Sequence, residues 1–539
     1  MKRLRTDFTK RLPDDLLTMV MWEFVFEDDL QSLVRVQIPT YRSNWDAHRP
    51  SWRRRQFKAV LVSSICQRWR TVALNYPRIW SQIHLSWPTD TIRMYTSRCK
   101  THILSIGINS YSVTSKNFAI HEPTLLNSLS RVERLSIECG NSLYLDYNSR
   151  KETTDFLDWV TRVHSGDTAA PRLWQLHCDL YERAEDAEKT PNLPKLSDIR
   201  FNSVSLRAVK SNWGRLERVK ARSHDLDDSE VIDFLMAAQN LESIELVHYE
   251  EEDVPEDKEY DDIAGDTQLS PTFLPKVNKF QIAWCPVTLA ESILRAITFP
   301  STSLVEFCIC RRQGAGFIET FPNYLLGVLR SVVVLDIEAE RSDCAFSFNS
   351  IDSPSYEIKF NEPRGLSDMD SEIQDCYSQE QADEIFDSLG QQSFHCLVDV
   401  SIYSAYSSDA SIMRKLFREF QTVQNLTFRA KRAENVIEAL ASDPGDSDHR
   451  HPCPALRKLD FRECRFDPVT LKKTLINRRE WAPDLRHLQV TIDPRMFESC
   501  EENVGNVRRK ALRSVAGLVT LYEAKEGEWR DTNDSDSDL

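Results

Sequence analysis

One apolar pattern recurs along most of this chain and constrains its fold more than any other feature. Strings of the form apolar-x-x-apolar-x-apolar start at Trp80, Ile103, Val132, Leu173, Leu196, Leu216, Leu241, Val277, Leu304, Val332, Leu397, Val423, Leu456 and Leu485. Successive starts lie 20 to 36 residues apart, except for steps of 41 (Val132 to Leu173) and 65 (Val332 to Leu397). Within each string the last two apolar positions are two apart, which puts them on one face of a strand. A period of this length means a repeated strand-plus-return unit whose stacking buries a continuous core. The returns carry helical spacing. Val231, Ile232, Phe234 and Leu235 fall between Ser229 and Gln239, and Leu289, Ile293, Leu294 and Ile297 between Val287 and Thr298. Ala410 to Phe420, Ala433 to Leu440 and Pro468 to Trp481 behave likewise. Strands alternating with helices predict an α/β fold with a parallel sheet.

Two strings extend further, Val277-Asn278-Lys279-Phe280-Gln281-Ile282-Ala283-Trp284-Cys285-Pro286-Val287 and Leu456-Arg457-Lys458-Leu459-Asp460-Phe461-Arg462-Glu463-Cys464-Arg465-Phe466. They resemble the fuller leucine-rich repeat, LxxLxLxxCxL. The resemblance implies an irregular leucine-rich-repeat-like solenoid over residues 88–530, with the parallel sheet on its concave face. It also implies that Cys285 and Cys464 are structural, bonding neighbouring backbone inside the turn. An ordinary α/β domain with buried strands is the competing expectation. Three segments fit no repeat: an acidic loop at 249–270, a polar serine-rich stretch at 341–378 and an acidic tail at 531–539. All three read as solvated surface, with Tyr356-Glu357-Ile358-Lys359-Phe360 as a candidate edge strand.

The amino-terminal residues are organised differently. After a tail at 1–9, Leu12-Pro13-Asp14-Asp15-Leu16-Leu17 has the grammar of a helix start, with proline early and carboxylates against the positive helix end. Leu12, Leu16, Val20 and Phe24 repeat every four residues, and Leu17 and Met21 widen the stripe. This helix is expected to fade near Glu27-Asp28-Asp29. A second begins at Phe57, with Phe57, Leu61, Ile65 and Trp69 on one face. A third continues to Pro77. Three short helices make a small core, and so much apolar surface on so small a unit is what a partner-binding module shows.

Leu12-Pro13-Asp14-Asp15-Leu16-Leu17, then Val62-Ser63-Ser64-Ile65-Cys66-Gln67-Arg68-Trp69-Arg70-Thr71-Val72-Ala73, then Pro77-Arg78-Ile79-Trp80 resemble, in order, the F-box of the large fungal F-box group. The resemblance covers about 70 residues within 10–87. It departs from the family at an insert over 27–56 that holds Trp45, Trp52 and Arg53-Arg54-Arg55. It implies that Leu12, Pro13, Leu16, Leu17, Cys66 and Trp69 dock a Skp-type adaptor, and through it a cullin. The chain is then the substrate-recognition subunit of an SCF-type cullin–RING ubiquitin ligase. The alternative is an F-box-like solenoid scaffold outside any ligase. A leucine-rich-repeat regulator of a small GTPase would need stricter, more uniform repeats.

Composition narrows the chemistry. The chain of 539 residues carries a net charge of −15, but Met1 to Trp80 holds 15 basic and 8 acidic residues, so the acidic excess lies beyond it. That bulk disfavours a nucleic-acid binder, which needs a basic face. No apolar run is long enough to cross a bilayer, and no apolar stretch follows Met1-Lys2-Arg3-Leu4-Arg5. The expectation is an intracellular protein of cytoplasm or nucleus, with its 13 cysteines largely reduced. There are only 14 glycines, about a third of average usage. The phosphate-cradling and nucleophile-elbow motifs that depend on glycine are missing. Neither a catalytic set nor a cofactor is expected. His449-Arg450-His451-Pro452-Cys453 lacks a fourth ligand at zinc-like spacing and reads as a polar loop. Cys308 and Cys310 alternate on one strand, with nothing nearby in sequence to activate a thiol.

A target protein would be met by the x residues beside the second and third apolar positions, which point away from the core. Read this way, Arg200, Arg218, Lys220, Arg222 and Lys279 form a basic stripe suited to an acidic or phosphorylated segment. Mixed surface charge paired across neighbouring strands is the competing expectation.

Overall fold

The computed structural model describes residues 12–34, 51–85, 87–109, 123, 127–138, 170–179, 193–201, 206–222, 226–248, 271–310, 321–339, 343–350, 353–361, 379–404, 408–430, 432–441, 450–462, 464–482, 487–492, 510 and 512–523. Within these ranges the side chains at 27–34 and 51–57, and those of a few residues at element ends, lie outside the described set. Two compact units divide the chain, Met1–Leu241 and Glu242–Leu539. Among the described residues, no helix is long and apolar enough to cross a membrane.

The first unit opens with three helices, α1 (Asp14–Val34), α2 (Ser51–Ser64) and α3 (Gln67–Asn75), and a 3-10 turn at Pro77–Trp80. Contrary to expectation, α1 does not fade at Glu27 and α2 does not wait for Phe57. No proline or glycine stands between Glu27 and Val34 to stop propagation. Helix therefore claims both ends of the expected insert, whose residues 35–50 lie outside the described set. The remainder of the unit is β1 (Gln82–His84), α4 (Thr89–Cys99), β2 (Leu104–Asn109), β3 (Val132–Glu138), β4 (Gln175–Asp179), β5 (Asp198–Phe201), β6 (Arg218–Arg222) and α5 (Asp228–Ala237). Strands β1 to β6 form a wholly parallel ladder in chain order. Leu135, Ile137, Leu176, Ile199, Phe201, Val219 and Ala221 are buried on one side of it.

The second unit holds β7 (Ser243–Val247), β8 (Thr272–Phe273), β9 (Lys279–Cys285), α6 (Val287–Ala296), β10 (Ile297–Thr298), β11 (Leu304–Cys310), α7 (Asn323–Leu329), β12 (Val332–Ala339), β13 (Asp343–Ser350), β14 (Ser355–Asn361) and α8 (Gln379–Leu389). It continues through β15 (Asp399–Ser404), α9 (Ala410–Glu419), β16 (Asn425–Ala430), α10 (Glu434–Ala439), β17 (Lys458–Arg462), α11 (Pro468–Arg479), β18 (Gln489–Ile492) and β19 (Thr520–Glu523). Every one of the fourteen apolar strings has its own strand in the two units. The fold is thus mixed α/β with mostly parallel pairing.

One expectation fails at 341–378. Its first part is no surface loop and no edge: β13 and β14 form an antiparallel hairpin, with β14 beside β11 and β13 beside β12. Strand β12 pairs onward in parallel with β15. The polar, serine-rich composition hides an alternation, because Cys344, Phe346 and Phe348 with Tyr356, Ile358 and Phe360 are all buried. Phe346 and Phe360 meet edge to face at 5.9 Å. Residues 249–270 and 531–539 lie outside the described set.

The two extended strings behave as structural turns. Cys464 Sγ donates to the Phe428 carbonyl at 3.2 Å and accepts from the Ala430 N–H at 3.2 Å, tying the ends of β16 and β17. Cys285 Sγ lies 3.7 Å from the Cys308 carbonyl. Just before it the ladder slips by one residue and Trp284 adopts φ 56°, a bulge that turns the thiol inward.

Candidate protein-interaction surfaces

Helix α1 separates its apolar residues into two stripes. Leu17, Met21 and Val25 are buried against the other helices, whereas Leu16, Met19, Val20 and Phe24 are 46%, 65%, 48% and 38% exposed. On α2, Ala59 and Val62 are buried and Leu61 is 53% exposed, and Ile65, just past the helix, is 55% exposed. Lys58 Nζ sits 5.6 Å from the Phe24 ring, and Leu61 follows one turn later, so the two apolar faces adjoin. With Leu74, seven of the eleven exposed large hydrophobics among the described residues fall in this small module. Single exposed hydrophobics are ordinary, but a clustered patch marks a contact surface.

The motif residues outside that patch hold the module together. Arg68 donates from Nη2 to Asp14 Oδ1 at 2.7 Å and to the Leu12 carbonyl, pinning the start of α1 to α3. Cys66 Sγ accepts from the Trp69 N–H at 3.5 Å and caps α3. Trp80 Nε1 donates to the Ala73 carbonyl at 2.8 Å, and its ring packs edge to face on Tyr95 of α4. Of the six residues that the F-box resemblance marks for an adaptor, Pro13 and Leu16 are exposed and Leu12 and Cys66 half-buried. Leu17 and Trp69 point into the module core, at 0% and 9% exposure. Missing from that set are Met19, Val20, Phe24, Leu61, Ile65 and Leu74, which the packing of the module leaves outward.

The second surface is the polar face of the first unit's ladder. Register aligns Gln82, Ser105, Arg134, Gln175, Asp198 and Arg218 in one row across β1 to β6. The next row is His84, Gly107, Ser136, His177, Arg200 and Lys220. At Gly107 a Cβ would come within 2.7 Å of His84 Cδ2, so glycine is what lets that imidazole lie flat on the sheet.

At the centre stands the buried carboxylate of Asp198. It accepts from Gln175 Nε2 and from Arg218 Nε, each at 3.0 Å, with His177 Nε2 3.6 Å away. Burial pushes the Asp198 carboxyl up, but the contacts with His177 and Arg218 outweigh it and leave it below its ordinary value. Burial also pushes His177 down. The Asp198 contact opposes this, while the charges of Arg200 and Arg134 add to it. His177 is therefore neutral at pH 7. Its Nε2 lies 3.1 Å from Gln175 Nε2 and 3.6 Å from Asp198 Oδ1.

The predicted stripe divides. Arg200, Arg218 and Lys220 share this face, with Arg218 neutralised by Asp198. The side chain of Arg222 lies outside the described set. Lys279 belongs to the second unit, where it donates to Glu245 at 3.1 Å. Arg134 and His177 escaped the sequence reading, although the same outward-position rule applied to β3 and β4 finds them. Arg134 lies over the Trp174 ring at 4.9 Å. Among the described residues, neither Arg134 nor Arg200 has a carboxylate in ion-pair reach.

No protein-family model and no curated protein matches this chain. The resemblances therefore rest on the motifs quoted above.

Other chemistry considered from the sequence takes a structural form. Among the described residues, no group of three metal-ligating side chains occurs. Cys453, at φ 44°, is fully buried, which pushes its thiol up to about 12. Arg478, 2% exposed, donates to the carbonyls of Pro452 and Cys453, and burial lowers it to about 10. His451 stacks on Trp481 at 4.4 Å. Cys308 is 7% exposed, and the side chain of Cys310 lies outside the described set.

Proposed function

We propose that this chain is a non-catalytic receptor, the substrate-recognition subunit of an SCF-type ubiquitin ligase. In this reading the helical module docks a Skp-type adaptor and the repeat region holds the target protein. The repeat region is then a leucine-rich-repeat-like solenoid. The receptor contributes proximity, raising the effective concentration of target lysines near the activated ubiquitin. One observation carries the reading: the apolar stripe of Leu16, Val20 and Phe24, with Leu61 and Ile65 beside it, is left uncovered on the module that bears the F-box-like motif.

The test is capture of a Skp-type adaptor by the full chain. Leu16→Asp with Ile65→Asp removes two exposed contacts, each worth about 1.5–3 kcal/mol when fully buried in an interface. Capture should fall by more than about a hundredfold while the circular dichroism spectrum stays native. Leu17 is unsuitable as a probe, because a charge there disrupts the module itself. An adaptor that ignores the wild-type chain, or binds the double variant equally well, removes the ligase reading and leaves a scaffold outside any ligase.

A further inference from the structure

The outward face of the second unit carries a row of acceptors that its own cations only partly fill. Register aligns Glu245, Gln281, Glu306, Glu357, Ser347 and Asp336 across β7, β9, β11, β14, β13 and β12. Their sequence neighbours turn into the core, as Phe280 and Ile282 do beside Gln281 and Leu335 and Ile337 beside Asp336. The row itself therefore faces away from the core, and it holds four carboxylates, Glu245, Glu306, Glu357 and Asp336, with no cation among them. Two lysines reach in from adjoining positions. Lys279 donates to Glu245 at 3.1 Å, and Lys359 donates to Glu306 at 2.8 Å and lies 2.9 Å from Glu357. Two acceptors are left over. Among the described residues, Asp336 meets no cation and no hydrogen-bond donor. Gln281 is 5% exposed, and its buried Oε1 has no hydrogen-bond partner. Ser347 and Ser401 flank Asp336 in the same row, and exposed Glu338 follows it along β12.

We propose that this row receives an extended basic segment of a partner protein, with an arginine or lysine seated on Asp336 and a second donor side chain at Gln281. The proposal goes beyond the receptor reading and stands whether or not the helical module joins a ligase. Lys279 and Lys359 already rest on three of the row's carboxylates, so the chain itself displays the chemistry that the row accepts. A guanidinium on Asp336 makes two parallel charge-assisted bonds, and the neighbouring serines accept from its remaining N–H groups. Gln281 and Asp336 are four strand spacings apart, roughly 19 Å, which an extended chain covers in about six residues. A metal ion fits less well, since among the described residues no group of three ligating side chains occurs. Nucleic acid and phosphorylated peptides carry the wrong sign for a face whose leftover groups are a carboxylate and an amide oxygen.

The test measures binding of the full chain to a degenerate peptide library with two arginines six residues apart. Libraries with glutamine or glutamate at those two places are measured alongside. The arginine library should bind selectively, and more weakly as salt rises. Asp336→Asn should weaken it by about tenfold or more, and Gln281→Met by about fivefold. Asp90→Asn removes an equal charge from exposed α4 of the first unit and should change nothing. Should Gln281→Met lose its native spectrum, Asp336→Asn at its half-buried outward position decides the matter alone. Equal affinity for the glutamine or glutamate libraries, no binding, or the same response to Asp336→Asn as to Asp90→Asn overturns the proposal. Adaptor capture on the same preparation reports separately on the receptor reading.

Discussion

His177 and Asp198 share one hydrogen-bonded cluster, and both titrate below their ordinary values in the folded chain. A group depressed on folding contributes stability that is complete above its unfolded pKa and is lost as pH falls through its folded one. Stability should therefore begin to drop below about pH 6.5 as His177 is forced to charge, and drop again below about pH 4 with Asp198. Urea unfolding followed from pH 7.5 to 5 should show the first loss in the wild type and not in His177→Gln. At this scale the outward-facing rule of strands made Arg200, Arg218 and Lys220 legible. Pairing across neighbouring strands was the competing expectation, and it is realised where Arg218 meets Asp198 and Lys279 meets Glu245. The thiol of Cys464 lay inside a readable motif, whereas the carbonyl clamp of Arg478 on Pro452 and Cys453 joins segments that share no pattern.

Helix caps and strand alternation are local, and elements built on them were foreseeable, unlike the end of α1 and the start of α2. Helix α5 starts with a capping box: Asp227 accepts from the Glu230 N–H at 2.8 Å, and Glu230 accepts from the Asp227 N–H at 3.3 Å. Asp227→Ala should cost about 1 kcal/mol locally, a rise of roughly fivefold in amide hydrogen exchange over the first turn. Unchanged exchange there would mean that packing of Val231, Phe234 and Leu235 alone sets the helix start. The β13–β14 hairpin shows the opposite case. Its serines and charges dominate the composition, and its inward Phe346, Phe348, Ile358 and Phe360 count only once β11 and β12 flank it. In α1 the fourfold spacing was plain, but two fourfold stripes run side by side. Which one is core depends on where α2 lies.

For the whole molecule, the proposed receptor reading puts adaptor docking on the helical module and target recognition on the repeat region, which predicts that the two separate. Leu16→Asp with Ile65→Asp should abolish adaptor capture yet leave target capture by the repeat region unchanged. A variant pair that loses both together, with native spectra, would show that the two surfaces are coupled. The chain's own pattern determined that it would build parallel strands at each apolar string, because alternation and period are encoded within a few residues. It also determined which side chains each strand turns outward. Only tertiary structure decided that the segment after β12 enters the sheet as a hairpin, that the Leu16 stripe stays uncovered, and that Gln175 and Arg218 close on the buried Asp198. Those outcomes depend on register and packing between segments far apart in sequence, where the free energy belongs to pairs of elements and is written in neither alone.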